Sequence, residues 1–320
     1  MLIFGDILAI SMLMHMKDHN GFSPCRMCGI LKVQSLNGNT NYIPHNCSRH
    51  PDVIYDRAAV KVYDMAHLLL CTHEELLAQA REVEAATSNT DADRLSRQYG
   101  IKNIPVLSCL SSIKFPVAFP YDFMHLIWEN VIKNLILHWT GEFKGLGEGS
   151  GSYILKKSAW QAIGTATAAS GSTISSAYGN HVPNIVTDST FCTAETWSFW
   201  TLYLGPVLLK HCFPPDTKYF SHFIKLVCLL NICLQFKILK AEISHVCTGF
   251  IKWVQEYEKL YYQYCPERIS VCMLTMHGLL HIANSINACG PVWCYWAFPM
   301  EHYCGKLHPA LREDFTLHHI

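Results

Sequence analysis

Residues 122–140 read DFMHLIWENVIKNLILHWT, and this stretch decides the fold class. Its apolar residues recur at positions 123, 124, 127, 131, 135 and 139, which is the spacing of one face of an α-helix. Asp122 stands where a helix N-cap is expected, and Gly141 follows the last apolar residue, where glycine commonly ends a helix. The pattern therefore predicts a long helix with a broad buried face.

Similar helical patterns continue on both sides of this segment. Thr72 and Glu75 form the sequence signature of a capping box, which predicts a helix running to about residue 85. Gly100 is placed where a glycine would end the next predicted helix, DADRLSRQY (91–99). Further helical stretches are predicted near 153–169, 193–210, 219–239, 241–263 and 270–289. Residues 1–4, MLIF, instead indicate a buried strand.

The composition excludes several classes of protein. The 320 residues carry 25 Lys and Arg against 25 Asp and Glu, so the formal net charge is zero. Half of the residues are hydrophobic and only 16% are charged, which is not the composition of a disordered chain. A polybasic nucleic-acid coat is excluded as well, because no net positive charge attracts phosphate.

The cysteines and the most apolar window bear on the compartment. The 15 cysteines are an odd number, and the start MLIFGDILAISMLMHMKDHNGF lacks the charged beginning of a secretory signal, so we expect reduced thiols. The window 219–239 resembles a membrane span in hydropathy. It contains two lysines, a histidine, an asparagine and a glutamine, which favour a buried helix over a bilayer span.

Residues 17–56 have turn chemistry throughout and no apolar periodicity that would hold them together. They contain the CxxC pair Cys25 and Cys28, followed by His45, Cys47 and His50. Two thiolates three positions apart, completed by imidazole or thiolate from further along the chain, suit a tetrahedral zinc site. Zinc would also explain how the segment stays ordered. A chance CxxC in a cysteine-rich chain and a redox pair are the alternatives, although no thioredoxin-like pattern surrounds the pair.

Several carboxylates have two interpretations each. Asp6 follows the apolar start of the chain, where it can present a ligand for a hard metal or simply cap the next turn. Asp122 and His125 share one helical face, but Asp122 is also a good N-cap. Glu301 lies in an aromatic setting just after Pro299, where a first-turn glutamate is favoured by the helix dipole in any case.

His277 and His281 lie one helical turn apart in the sequence HGLLH. The spacing occurs in zinc-binding HExxH helices, but position 278 is glycine and the glutamate base is missing. From the sequence we interpret the two histidines as helix packing. The sequence contains no GxSxG elbow, P-loop, GxGxxG or kinase motif.

Four separated segments together resemble one known family. They read GDILAISMLMHMKDHNGFSPCRMCGI (5–30), FPYDFMHLIWENVIKNLILHWTGEFKGL (119–146), TAETWSFWTLYLGPVLL (193–209) and GPVWCYWAFPMEHYCG (290–305). In this order they are similar to the CACTA (En/Spm) transposases of mushroom-forming fungi. The resemblance extends over nearly the whole chain, from residue 1 to about 310.

This resemblance implies a DDE/D transposase acting in the nucleus on the terminal repeats of transposon DNA. The implied fold class is α+β but predominantly helical, a partial RNase H-like core with a large all-α insertion. The implied division is a strand and Cys/His-rich segment (1–60), connecting helices and an extended segment (61–121), the helical insertion (122–290) and a closing helix (291–320). The implied cofactors are two Mg²⁺ or Mn²⁺ ions held by three carboxylates, which activate the attacking oxygen and stabilise the leaving one.

The resemblance also assigns roles to individual residues. Asp6 matches the second catalytic acid, and Glu301 in FPME matches the third, so the resemblance implies that both bind the metal ions. Asp122 and His125 match a D-x-x-H motif with a supporting role. Cys25 and Cys28 match the CRMC run of the family, for which zinc is expected.

Two departures from the family pattern carry expectations of their own. The first acid belongs well upstream of Asp6, and His302 stands where arginine is expected. We therefore expect a transposase remnant that is inactive by itself. The alternatives are a non-catalytic helical interaction module, which associates with itself or with full-length transposase, and a purely structural zinc protein.

Overall fold

The computed structural model describes residues 1–17, 21–36, 38, 40–174, 182–214, 218–305 and 307. The part of the predicted closing segment that lies beyond residue 307 is therefore outside the described residues. The α-helices, in chain order, are α1 (Ile7–Leu13), α2 (Pro51–Ile54), α3 (His73–Glu84), α4 (Asn89–Tyr99), α5 (Lys133–Thr140), α6 (Lys157–Ser170), α7 (Ala194–Phe199), α8 (Gly205–Leu208), α9 (Lys218–Cys233), α10 (Lys240–Tyr257), α11 (Leu274–Gly278) and α12 (Ile282–Cys289). Residues 298–305 are also helical.

Shorter pieces of other helical geometry join these helices. The π-helical segments are Met124–Ile132, Trp200–Leu204 and Glu258–Tyr262. The 3₁₀ turns are Val106–Cys109, Ser189–Phe191, Pro266–Val271, Leu279–His281 and Val292–Cys294. The molecule is therefore predominantly helical, as the sequence predicts.

The strands are much shorter than the sequence pattern suggests. Over the described ranges, the sheet consists of β1 (Val33–Gln34) and β2 (Asn41–Tyr42), which pair antiparallel. The predicted strand over residues 1–4 is wrong: the segment is irregular, although the Ile3 amide donates to the Ala118 carbonyl at 2.8 Å. One backbone bond does not make a strand, because a ladder needs a neighbouring strand in register.

The local helix signals agree with the structure. Thr72 and Glu75 form the capping box that opens α3, with the Glu75 amide donating to Thr72 Oγ1 at 3.2 Å. Gly100 ends α4 in the left-handed conformation, with a φ of 74°. Gly141 ends α5 in the same way. These ends depend on a few neighbouring residues, which is why sequence reasoning finds them.

The segment that decides the fold class is helical from residue 123 but not regular. It is wound as a π-helix over Met124–Ile132 and continues as α5. Its Trp128 and Trp139 side chains are fully buried in the main hydrophobic core, together with residues of α7, α9, α10 and α12.

A second, smaller core lies towards the N-terminal end of the chain. It joins α1 to α3 and to the segment 101–119, through residues that include Ile10, Ala80 and Phe119. The predicted helix over 219–239 is α9, which ends at Cys233 and buries His222. Across the described ranges, every helix is either too short or too polar to traverse a lipid bilayer.

Candidate metal centre

Four side chains from distant parts of the sequence meet in the main core and form what we call the Cys2His2 cluster: Cys25, Cys28, His277 and His281. Cys25 Sγ lies 3.4 Å from His281 Nε2, and Cys28 Sγ lies 3.2 Å from His277 Nε2. The two Nε2 atoms are 3.0 Å apart. All four ligand atoms lie within 4.8 Å of one another, and all four residues are buried.

Backbone pairing shapes the loop that carries the two cysteines. The Gly29 amide donates to the Leu69 carbonyl at 2.9 Å, and the Cys71 amide donates to the Met27 carbonyl at 2.9 Å. The Met27 amide also donates to Cys25 Sγ at 3.3 Å. The segment 69–71 thus holds the loop in a turn whose thiols point to the same side.

Arg26, between the two cysteines, anchors the loop from the other direction. Its guanidinium donates to the carbonyls of Phe119 and Pro120, at 3.0 Å each, and stacks on the Tyr121 ring at 3.9 Å. Arg26 is only 3% exposed, so these contacts replace its hydration. The Tyr121 hydroxyl lies 3.7 Å from Cys25 Sγ. The loop is therefore attached to the residues that lead directly into Asp122.

The two histidines come from α11 and the 3₁₀ turn that follows it. Gly278 lies between them, and a Cβ built there would be 3.2 Å from the Leu126 side chain and 3.4 Å from the Tyr121 ring. A Cβ at this position would be in ordinary contact with the Tyr121 ring, but the Leu126 side chain would have to move by a few tenths of an ångström. The glycine that argues against an HExxH motif thus allows a close approach between this turn and Leu126.

The electrostatics of the cluster favour metal ligation at Cys25 and His277 and oppose it at Cys28. Burial by itself would raise the pKa of the Cys25 thiol, but the hydrogen bond with Cys28 and the two imidazoles lower it well below its ordinary value. The pKa of Cys28 is raised, because it supplies that hydrogen bond and is itself buried. Burial lowers the pKa of His277 to about 4, so at neutral pH it is an uncharged imidazole with a free lone pair.

Two cysteines and two histidines are a donor set typical of closed tetrahedral zinc sites. Tetrahedral zinc with bonds of about 2.0–2.3 Å to nitrogen and sulfur separates its ligand atoms by roughly 3.3–3.8 Å. Three of the separations in the cluster, 3.0–3.4 Å, are close to this range, and the others are at most 4.8 Å. Among the described residues this is the one group of three or more such donors close enough to hold a metal ion.

The candidates from residues 45–50 do not complete the cluster, so the predicted ligand set is corrected. His45 is adjacent to it, with Nε2 at 2.9 Å from His277 Nδ1. Cys47 Sγ instead donates to the Val60 carbonyl at 3.3 Å. His50 caps α2, with its Nδ1 accepting from the Asp52 amide. His277 and His281, which we interpret from the sequence as helix packing, lie with Cys25 and Cys28 in the group that could hold a metal ion.

Of the residues that the resemblance assigns to the catalytic site, Asp122, His125 and Glu301 meet elsewhere. Together with Asp6, whose charge contributes to the pKa of His125, we call them the acidic cluster. Asp122 Oδ2 lies 2.6 Å from His125 Nδ1 and also accepts from the His125 amide at 2.9 Å. His125 Nε2 lies 3.0 Å from Glu301 Oε1. The charge of Asp6 also acts on His125.

The donors of the acidic cluster are already engaged. The other oxygen of the buried Asp122, Oδ1, accepts a hydrogen bond from the Ala297 amide at 2.6 Å. Asp6 caps α1 by accepting from the Ala9 amide at 2.5 Å. The N-cap interpretations of both aspartates are therefore correct as geometry. The hydrogen bond to Asp122, followed by the charges of Glu301 and Asp6, raises the pKa of His125 against the opposing effect of burial.

No protein-family model matches the chain, and neither a curated protein nor a solved structure matches it.

Proposed function

We propose that the chain derives from a DDE/D transposase of the CACTA type, and that its ancestral activity is strand cleavage and transfer of transposon ends in the nucleus. One observation carries the proposal. Glu301 Oε1 lies 3.0 Å from His125 Nε2, and the charge of Asp6, 295 positions before Glu301, also contributes to the raised pKa of this imidazole, as expected of two acids near one site. On this proposal the long helical region is an insertion into a partial RNase H-like core.

The acidic cluster does not fit a complete magnesium or manganese site. Two ions of this kind require several carboxylate oxygens free to bind them. Both oxygens of Asp122 accept hydrogen bonds, which leaves Asp6 and Glu301 as the only carboxylates of the cluster with an uncommitted oxygen. We therefore propose that this chain by itself does not cleave DNA.

His125 is the residue of this cluster with a defined proton chemistry. Asp122 fixes the orientation of the ring through Nδ1, and Nε2 is directed at Glu301. The raised pKa favours the imidazolium, which can hold Glu301 in place or neutralise an approaching phosphate. We assign Asp122 and His125 a supporting role next to the two acids.

Zinc is the metal we propose for the Cys2His2 cluster. Two thiolates and two imidazoles in tetrahedral arrangement suit this ion, and four protein ligands leave no open position for a substrate. The role is therefore structural: the ion would tie the loop 25–28 to α11 and the turn after it. Because these elements are about 250 positions apart, the ion closes a very long loop of the chain.

Nicking of DNA tests the transposase proposal. The chain is fused behind the upstream catalytic segment of a full-length CACTA transposase and incubated with terminal-repeat DNA and Mg²⁺. We expect nicking that is lost in Asp6→Ala and in Glu301→Ala and retained in Glu256→Ala, a surface variant far from the cluster in sequence. Full activity in both cluster variants would refute the assignment.

A non-catalytic interaction module is the second candidate, and α1 favours it. Its Leu8 and Met12 are 66% and 69% exposed, an apolar face on a helix next to Asp6. Such a face is typical of an association surface, either for a second copy or for full-length transposase. Size-exclusion chromatography and a pull-down against the full-length protein, with Leu8→Glu as the matched variant, distinguish this role: association that Leu8→Glu abolishes supports it, and a monomer that captures nothing contradicts it.

A further inference from the structure

A continuous line of hydrogen bonds leads from the Cys2His2 cluster to a buried carboxylate. His277 Nδ1 lies 2.9 Å from His45 Nε2, and His45 Nδ1 lies 2.8 Å from Glu258 Oε1. The two imidazole rings are stacked, with centroids 5.2 Å apart. None of the three residues is more than 3% exposed.

We propose that Glu258 and His45 are positioning residues for the metal: they orient His277 and fix which of its nitrogens faces the ion. This inference rests on the proposed zinc site and extends it to residues outside the ligand set. It gives His45 a role that differs from direct ligation.

The donor and acceptor of each bond follow from the end of the line. In the proposed site His277 binds the ion through Nε2, the atom that lies among the two sulfurs and the other imidazole, so its proton is on Nδ1. His277 Nδ1 therefore donates to His45 Nε2. The proton of the His45 ring is then on Nδ1, which donates to Glu258.

Glu258 is held firmly enough to set this pattern. Besides the His45 ring, it accepts the His45 amide at 2.7 Å through Oε1 and the Asn46 amide at 3.2 Å through Oε2. It begins the π-helical segment that follows α10, where it is 3% exposed. A buried carboxylate with these donors has a defined position and a defined direction of hydrogen bonding.

The second imidazole of the cluster lacks such support. His281 Nδ1 is buried and has no hydrogen-bond partner among the described residues. The two imidazoles are therefore held differently. His277 is oriented by the hydrogen bonds through His45 to Glu258, which we call the relay. His281 is held by packing, including a stack on Tyr121. Partners behind the ligands typically contribute 10-fold to 100-fold to metal affinity.

Competition titration with Co²⁺ tests the proposal on the full chain. The variants are Glu258→Gln, which keeps the size and removes the charge, and His45→Phe, which keeps a ring and removes both nitrogens. His45→Gln is the conservative partner, because its amide accepts from His277 and donates to Glu258. Glu256→Gln is the control, since Glu256 lies on the surface and pairs with Lys225.

We expect Co²⁺ to bind at least 10-fold more weakly in Glu258→Gln and His45→Phe, and within about 3-fold of the parent in His45→Gln and Glu256→Gln. The absorption spectrum should remain that of two thiolates and two imidazoles in all of them, because no ligand is removed. Long-range ¹H–¹⁵N correlation on the zinc-loaded parent should show His277 protonated at Nδ1.

The outcomes separate the relay from the site. If the parent binds no Co²⁺, the proposed metal site itself is wrong and the relay with it. If the parent binds but Glu258→Gln and His45→Phe match its affinity, the site stands and the relay is refuted. Equal weakening in His45→Gln and His45→Phe would also refute it, because the loss would then reflect packing.

Discussion

The Cys2His2 cluster and the acidic cluster both bring together residues that are far apart in the sequence, but they differ in burial and in residue type. Each joins a residue near the N-terminus to one more than 250 positions later. The first is buried and built from two cysteines and two histidines. In the second the side chains of Glu301 and His125 are 55% and 21% exposed, and the ligand candidates are carboxylates. Side chains that lie close together therefore do not by themselves make a metal site. Their ligand atoms must also be free of other hydrogen bonds.

We expect the largest loss of stability from the removal of one proposed ligand of the Cys2His2 cluster. Cys28→Ser should abolish tight zinc binding and the stability that depends on it. At zinc concentrations 1,000 times the dissociation constant, that contribution is about 4 kcal/mol. Thermal unfolding with and without a chelator measures it.

The control for that experiment is Cys109→Ser, which changes an exposed thiol outside the cluster. The control should unfold like the parent and lose stability on chelation, whereas Cys28→Ser should be insensitive to the chelator. A parent protein whose unfolding midpoint ignores the chelator would contradict the structural role of the ion.

The next effect separates the buried and exposed members of the acidic cluster. Asp122→Ala leaves the amides of His125 and Ala297 without acceptors, at about 1–3 kcal/mol for each buried group left unpaired. Glu301→Ala removes only a partly exposed partner and should change the free energy of unfolding by less than about 0.5 kcal/mol. Urea unfolding of both variants makes the comparison, and equal losses would mean that the cluster is not anchored at Asp122.

A third prediction concerns the pH dependence of buried imidazoles. Burial lowers the pKa of His138 to about 3, while its unfolded value is about 6.5. The unfolded chain therefore binds a proton that the native chain does not, so the contribution is full above pH 6.5 and is lost as the pH falls. The loss reaches about 1.4 kcal/mol per pH unit.

His138→Phe is the matched variant for that prediction, since the ring packs between Phe143 and Tyr261. Between pH 6 and 4 it should reduce the slope of the unfolding free energy against pH by the contribution of one proton, at most about 1.4 kcal/mol per pH unit. The Cys109→Ser variant, which changes an exposed thiol, should leave the slope as in the parent. An unchanged slope in His138→Phe would show that this imidazole is protonated in the native state.

The smallest expected effect is the titration of His125 in the acidic cluster, which changes stability with pH in the opposite direction to His138. The raised pKa of His125 means that its protonated form stabilises the fold, a contribution present below about pH 6.5 and lost as the pH rises through the folded pKa. NMR should find this pKa above the ordinary value. Asp122→Asn should lower it more than Glu301→Gln, since the hydrogen bond to Asp122 is the larger cause.

Sequence reasoning found the local features but only two of the four residues of the Cys2His2 cluster. The capping box at Thr72, the helix end at Gly100 and the helix after Asp122 depend on neighbouring residues, and all are present in the structure. The CxxC pair, Cys25 and Cys28, lies in the group of donors that could hold a metal ion. Its partners were sought nearby, at residues 45–50, because the sequence contains no information on which distant histidine folds back.

One signal would have pointed to those partners. A single CxxC offers only two ligands, and His277 and His281 are the pair whose i, i+4 spacing places two imidazoles on one helical face. Gly278 between them excluded an HExxH enzyme, but it does not exclude a structural site. The strand expected at residues 1–4 failed for a different reason, since an apolar run does not specify a partner strand.

The central claim is that Cys25, Cys28, His277 and His281 bind one zinc ion. Zinc K-edge absorption spectroscopy on the purified full chain tests it most directly. We predict one zinc per chain with two sulfur neighbours at about 2.3 Å and two nitrogen neighbours at about 2.0–2.1 Å. A protein without zinc, or a shell of oxygen and nitrogen alone, would contradict the account.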